Sequence, residues 1–377
     1  MTRSFAAAVR RVNRLMRPTK TTKSIQKMMT GLMVKSALAS LAAATPKTAK
    51  SRKVATPKAG RTLGVVLRQL RAAQSLVPSP TTGTSGRVAS PRIPKDARYL
   101  DRTHRSAAGS RAYKIYLPAS QPKRPMGLLL MLHGCNQTPD DFALGTHMNA
   151  LAEKNGLVIA YPAQTTSHNG ASCWNWFKPG NQGRGAGEPA ILASLARKLA
   201  REFDLGRDQV FVAGLSAGGA MAAILADAYP DVFSAVGVHS GLARGAARDV
   251  VSALSAMRKG APGRLAPVTH LSPHTVRRII FHGDTDSTVH PSNASRIVAA
   301  AVGGRTTPTN VSRRSVRGRG YDRSVFAGPS GEAILEFWML EGAGHAWSGG
   351  RASGSYTDRK GPDASAQMIR FFLANTV

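Results

Sequence analysis

No aspartate or glutamate occurs between Met1 and Lys95, although lysine and arginine recur throughout that stretch. Aromatics are nearly absent there too, so the segment cannot bury enough apolar surface to offset the entropy of ordering it. Residues 1–95 are therefore expected to form a basic arm, mostly disordered. Two pieces, "SFAAAVRRVNRLMR" and "TLGVVLRQLRAAQSLV", carry basic and apolar residues at helical spacing. Two uses remain open for such an arm: a solvated tail, or a tether to an anionic surface such as nucleic acid, anionic lipid or a coated granule. No aromatic interleaving or nucleic-acid fold motif accompanies the basic residues, which argues against sequence-specific recognition.

Other absences narrow the field further. Cysteine is scarce, with only Cys135 and Cys173 in 377 residues. No Cys/His cluster at ligand spacing and no H-E-x-x-H occurs, so no metal site is expected. No apolar run approaches the ~18–20 residues of a membrane-spanning helix. The stretch "KMMTGLMVKSALASLAAATPKTA" loosely resembles a secretory signal with small residues at a cleavage point. But Lys35 interrupts its apolar run and a long basic segment precedes it, so a cleaved signal is the less favoured expectation. Acid is not missing everywhere. The net charge is +32, but all 20 acidic residues lie from Asp96 onward, mixed with basic ones as on an ordinary globular surface. Residues 96–377 are accordingly expected to form one folded domain.

What is present in that domain is alternation. "AYKIYLP", "MGLLLMLHG", "GLVIAYP", "DQVFVAGLS", "FSAVGVHSG" and "RRIIFHGD" read as strands, several of them continuous apolar runs of the kind buried on both faces. Between and after them, "MNALAEKN", "GEPAILASLARKLAREF", "AGGAMAAILADAYP", "SNASRIVAAAV" and "PDASAQMIRFFLAN" have helical patterning. The acidic residue of "GEPA" falls in a first helical turn, where the dipole favours it. "RSVFAG" and "AILEFWMLEG" look like a late strand pair. Strands alternating with helices imply an α/β fold, a mostly parallel sheet with helices on both faces. In such sheets the working residues sit on loops beyond the carboxyl ends of strands. Every candidate can be tested against that rule.

Ser216 satisfies it. The strand "VFVAGL" ends there and a helix follows, with Gly214 and Gly218 completing G-x-S-x-G in the context of a nucleophile elbow. A serine hydroxyl needs a base and a group to orient that base. His345, in "LEGAGHAWSGG" after a strand, fits the base. His133 and His282, each followed by Gly at a strand end, read as backbone-fixing or core residues, and His239 could shape a pocket. His147, His168, His270, His274 and His290 have no comparable context. For the acid, "IIFHGDTDSTV" offers Asp284 and Asp286. Asp286 is preferred because the loop must turn outward before a carboxylate can meet an imidazole, while Asp284 suits the turn itself. The chain order Ser216, Asp286, His345 is that of α/β-hydrolases. The Ala217 and Cys135 amides are the expected oxyanion donors. Cys135 and Cys173 both fall on the same expected rim, so either a disulfide or two free thiols fits.

These residues resemble the esterase family typified by the catalytic domains of short-chain polyhydroxyalkanoate (polyhydroxybutyrate) depolymerases. The resemblance is carried by "LHGCNQTPDDFALGTHMNALAEKNGLVIAYP", "CWNWF", "GEPA", "GLSAGGAMAAILADAYPDVFSAVGVHSGL", "HGDTDSTVHP" and "GAGHAWSGG". Together they span about residues 110–375, in order. The resemblance implies an α/β-hydrolase fold and ester hydrolysis through an acyl-enzyme, with no cofactor. By it, Ser216 is the nucleophile, Asp286 the acid and His345 the base, with an oxyanion hole at the Cys135 and Ala217 amides and a Cys135–Cys173 bridge. Trp174, Trp176 and Trp347 become candidates for an apolar surface gripping polyester, with core packing as the alternative. Secreted members typically continue into a polymer-binding domain, whereas this sequence carries a basic arm in front. The expectation is therefore an intracellular, granule-associated role, with secretion as the alternative. The same motifs serve feruloyl and acetylxylan esterases. A reading of another class makes the chain a granule- or DNA-tethering protein with the arm as its working part.

Overall fold

The computed structural model describes residues 90–120, 124–260, 275–302, 307–329 and 331–374. The expectations placed on residues 1–89, and on His270 and His274, lie outside the described residues. The apolar runs become the centre of a ten-stranded sheet. Its middle six strands are β4 (Leu157–Pro162), β3 (Gly127–Leu132), β5 (Val210–Leu215), β6 (Ala235–His239), β7 (Arg277–Gly283) and β10 (Ala333–Leu340), in that spatial order and all parallel. Every residue of β3, β4, β5 and β6 is buried, as continuous apolar strands covered on both faces require. The sheet is closed at each side by antiparallel strands: β2 (Gly109–Leu117) and β1 (Arg98–Ser106) beside β4, β9 (Arg319–Ala327) and β8 (Asn310–Val316) beside β10.

Strand side chains alternate between two cores. On β5, Val210 and Val212 enter one cluster while Phe211, Ala213 and Leu215 enter the other. The first cluster takes in α3 (Gly187–Glu202) through Leu192, Leu195 and Leu199, and α4 (Ala217–Ala228), which is buried along its whole length. The second is covered by α1 (Pro139–Thr146), α2 (Met148–Asn155) and α7 (Ala364–Leu373), whose Phe371 and Phe372 pack on the sheet. The connection leaving β3 goes to α1 and the one leaving β5 goes to α4, on opposite faces. Neighbouring strands with oppositely directed connections open a crevice at their carboxyl ends. Ser216 and Cys135 stand at that crevice.

Among the described strands and helices longer than three residues, four have no counterpart in the sequence reading. β1 and β8 are the sheet's edge strands; only one residue of β1 is buried and none of β8, so neither carries the apolar alternation that reveals a strand. The helix α1 is only eight residues long and is signalled by its start, where Thr138 Oγ1 accepts from the Asp141 amide and Pro139 occupies the first position. α5 (Val250–Lys259) is likewise defined by a cap, Asp249 accepting from the Ser252 amide. α6 (Ser292–Val302) lies where the helical pattern put it. No described helix is long and apolar enough to cross a membrane.

Candidate active site

Ser216 is held in a backbone conformation that side chains seldom adopt, with φ 57° and ψ −119°. Such strain costs on the order of 1–3 kcal/mol and persists only where neighbours over-determine it. The neighbours are visible. A Cβ on Gly214 would lie 2.4 Å from the Gly218 carbonyl carbon, and one on Gly218 would lie 2.0 Å from the Leu132 oxygen. The strand, the turn and the first turn of α4 are thus packed backbone to backbone, which only glycine allows. The Ser216 amide donates to His239 O on the neighbouring strand at 2.9 Å. The side chain is left at the head of α4, where the dipole is positive.

The loops after β7 and β10 are knitted together by backbone groups. The Asp284 amide donates to Leu340 O at 3.0 Å, Thr285 Oγ1 donates to Ala343 O at 2.8 Å, and the Gly342 amide donates to Asp284 Oδ1 at 2.7 Å. Asp286 follows, buried. Its Oδ1 accepts the Thr288 and Val289 amides at 2.9 and 2.8 Å, and its Oδ2 accepts His345 Nδ1 at 2.7 Å. Burial works to raise this carboxyl's pKa. The attraction and hydrogen bond of His345, with help from His282 and the Val289 amide, outweigh it and hold the group below the ordinary carboxylate value. An ionised Asp286 fixes the proton of His345 on Nδ1, leaving Nε2 bare to take a proton. Of the two carboxylates in "HGDTDST", it is Asp286 that meets His345, and Asp284 that braces the turn.

The third loop, after β3, carries Cys135. A Cβ on Gly134 would lie 3.6 Å from that of Ser216, so this loop flanks the serine closely. Among the described residues, neither the Cys135 nor the Ala217 amide meets an acceptor. Cys135 is bonded to Cys173, joining this loop to the one after β4. His133, fully buried, accepts the Gln164 amide at Nε2 (3.0 Å) and so donates from Nδ1 to Gly134 O (2.8 Å). Burial pushes its imidazole down to about 4, against the pull of Gly134 O and Asp141, so it stays neutral. Gln137 Oε1 accepts the Gly134 amide at 2.9 Å, while its Nε2 donates to Asp141 Oδ2 at 2.8 Å.

The family model described as "Esterase PHB depolymerase" matches residues 111–312, more than half of the chain. The chain belongs to this esterase family. It is similar to the poly(3-hydroxyalkanoate) depolymerase C of Paucimonas lemoignei, 28% identical over 244 residues that cover 61% of this chain and 56% of that one. A poly(3-hydroxybutyrate) depolymerase of Ralstonia pickettii is 36% identical over 138 residues, 34% of this chain and 28% of that one. A probable acetylxylan esterase A of Aspergillus clavatus is 26% identical over 193 residues, 48% and 61% of the two chains. The chain thus spans about half the length, or less, of several curated relatives it matches. Among solved structures, an acetyl xylan esterase from Aspergillus awamori superposes with a TM-score of 0.56 at 21% identity, covering 66% of this chain and 93% of that one. That likeness is one of fold, and it agrees with the α/β-hydrolase architecture described above.

In this member of the esterase family the aromatic candidates lie inside rather than on a surface. Trp174 is 0% exposed, its Nε1 donating to His133 O at 3.1 Å and its ring lying under the Arg111 guanidinium. Trp347 is 1% exposed, its Nε1 donating to Ser365 Oγ at 3.0 Å and its edge meeting Phe142. Trp176, 4% exposed, packs edge-on against Phe177, and His239 is wholly buried. The apolar grip expected of the three tryptophans therefore gives way to core packing, the alternative named for them, and His239, expected to shape a pocket, has no exposed surface to line one. The physical reason is that both tryptophan-bearing loops fold back over the sheet, where large rings repay burial and the N–H groups of Trp174 and Trp347 find a carbonyl and a hydroxyl acceptor.

Sequence reading also missed a polar network beneath the Cys173 loop. Glu188 lies in the first turn of α3, as read from the sequence, and it is also buried. Its carboxylate accepts Gln164 Nε2 at 2.6 Å, Asn175 Nδ2 at 2.8 Å and the Asn175 amide at 2.8 Å. Buried Arg111 donates to Gln164 Oε1 and stands 3.9 Å from Glu188. No spacing rule links residues this far apart; "GEPA" in the family resemblance was the one available signal.

Proposed function

We propose that this chain is a serine carboxylic-ester hydrolase that cleaves poly(3-hydroxybutyrate)-type polyester or its oligomers through an acyl-enzyme. The observation that carries the reading is the 2.7 Å Asp286–His345 pair at the same sheet rim as the φ-positive Ser216. Ser216 Oγ attacks the ester carbonyl carbon while His345 Nε2 takes its proton, and Asp286 steadies the imidazolium. The oxygen that becomes negative is met by the Cys135 and Ala217 amides. The carbon–oxygen bond to the leaving hydroxyl then breaks, and His345 returns the proton to that oxygen. Water, deprotonated by His345 in turn, releases the hydroxyacid and restores Ser216.

Relatives named as depolymerases support the polyester substrate, and relatives named as acetylxylan and feruloyl esterases support a second acyl preference. Purified protein assayed on polyhydroxybutyrate and hydroxybutyrate oligomers beside methyl ferulate and acetylated xylan separates them. Faster turnover of either plant ester would overturn the polyester assignment. Fluorophosphonate labelling should vanish in Ser216→Ala with the fold intact; undiminished labelling removes Ser216 as nucleophile. The run of 20 Lys and Arg without one acidic residue in residues 1–95 supports a further proposal, that this segment tethers the enzyme to an anionic surface. Pull-down of the full chain on heparin should then weaken steeply with salt.

A further inference from the structure

His239 stands at the end of β6, directly between the serine elbow and the histidine loop. Its carbonyl oxygen accepts the Ser216 amide at 2.9 Å, and its ring Nε2 accepts the Ser348 amide at 3.1 Å, three residues beyond His345. We propose that His239 is a positioning residue that sets the His345 loop in register with Ser216, through the ring acceptor at Nε2. This inference rests on the catalytic roles proposed above for Ser216 and His345.

The chemistry of the ring supports it. Because an N–H donates to Nε2, the proton of His239 is on Nδ1, where it faces Ser240 Oγ at 3.2 Å. The ring is stacked between Phe281 and Trp347, with centroids 5.8 and 5.2 Å away. An apolar ring would fill that slot at lower desolvation cost. What histidine adds is an acceptor aimed at a buried amide. Burial drives its pKa down to about 3, with His282 and His345 adding to the fall and Asp286 opposing it, so the acceptor stays unprotonated over the range in which esters are hydrolysed. With 0% exposure it has no surface to offer a substrate, so its effect runs through the loop alone.

The Ser348 amide has little freedom to find another partner. Trp347 and Ser348 pair with Thr357 and Asp358 in a short two-stranded ladder, and Trp347 is pinned by Ser365. Without Nε2 the amide is left buried and unpaired, and the loop must shift to satisfy it. A shift near 1 Å at the base costs about 100-fold in rate. Because substrate binding does not involve this residue, the loss belongs to kcat.

The test uses the full chain with a soluble p-nitrophenyl ester, measuring kcat and KM for His239→Phe, His239→Gln and His239→Asn. Glutamine carries an amide oxygen to the Nε2 position; asparagine reaches only the Nδ1 position. We expect Phe and Asn to lower kcat by about 100-fold with KM within about twofold, and Gln to restore most of the loss. A Phe variant with kcat within twofold of wild type would overturn the proposal. So would a Gln variant as slow as Phe, since packing rather than the acceptor would then be responsible. If Phe does not fold, Gln against Asn decides: equal rates overturn, and a clear advantage for Gln supports. Ser216→Ala is run beside them. Turnover that survives in it defeats the catalytic reading itself, whereas its loss together with an unaffected His239→Phe defeats only the positioning role.

Discussion

Asp284 and Asp286 are two residues apart and chemically identical, yet their surroundings give them different work. Asp286 faces His345 with one oxygen and two amides with the other, whereas Asp284 accepts the Gly342 amide and burial raises its carboxyl. Asn at 286 would keep its one oxygen on the Thr288 and Val289 amides and turn its NH2 donor to Nδ1, favouring the wrong tautomer. Asp286→Asn is therefore expected to lower kcat by about 10⁴-fold. Asp284→Asn keeps an acceptor for Gly342 and should remain within a few-fold. Steady-state rates on a soluble ester check both, and equal losses would contradict the assignment. The preference for Asp286 was legible from loop length after the strand. The burial of Trp174, Trp176 and Trp347 was not, because an indole reads alike in sequence whether it caps a core or lines a cleft.

Elements bring those residues together through backbone contact. Gly218, in the first turn of α4, lies against the end of β3, and Gly218→Ala would press a methyl 2.0 Å from the Leu132 oxygen. Neither atom belongs to a flexible side chain, so the substitution should destabilise by more than about 3 kcal/mol or prevent folding. A thermal melt reads this directly, and a variant melting within a few degrees of wild type would contradict it. The Cys135–Cys173 bridge spans 38 residues and ties the β3 and β4 loops. Chain-entropy reasoning puts its contribution at about 3–4 kcal/mol. Reductant should lower the urea midpoint accordingly, and should lower kcat more than it raises KM as the Cys135 amide loosens. Buried strands such as β3 and β5 announced themselves as apolar runs. The edge strands β1 and β8 did not, since pairing on one side only lets polar residues fill them.

At the scale of the whole molecule, neutral histidines buried at strand ends tie stability to pH. His133, His239 and His282 all have lowered pKa values, to about 4 and about 3 for the first two, with burial the leading cause. In the unfolded chain each would take a proton below its ordinary value of 6.5, while the folded form refuses it. More protons are then bound by the unfolded state, so stability falls as pH drops through that window, at up to about 1.4 kcal/mol per unit for each histidine. Asp286 and Glu336, both held low, add to the loss below the carboxylate range: burial opposes ionisation in each, but His345 holds Asp286 and the Arg323 and Arg370 hydrogen bonds hold Glu336. Urea midpoints measured from pH 7.5 to 4.5 should fall progressively, and a flat profile would contradict the neutral assignments.

Sequence by itself determined the α/β alternation, the glycine-flanked serine after a buried strand, and the order of serine, acid and histidine along the chain. These are local properties: runs of apolar residues, turn chemistry, and which residue follows which strand. Tertiary structure decided what stands beside what. The parallel register that sets Met339 against His282 and Leu340 against Gly283 is what delivers His345 to Asp286. The packing of both faces turned the tryptophans inward, made Glu188 an anchor, and put His239 between serine and base. Such contacts depend on where distant loops come to rest over the sheet, and no local pattern encodes that.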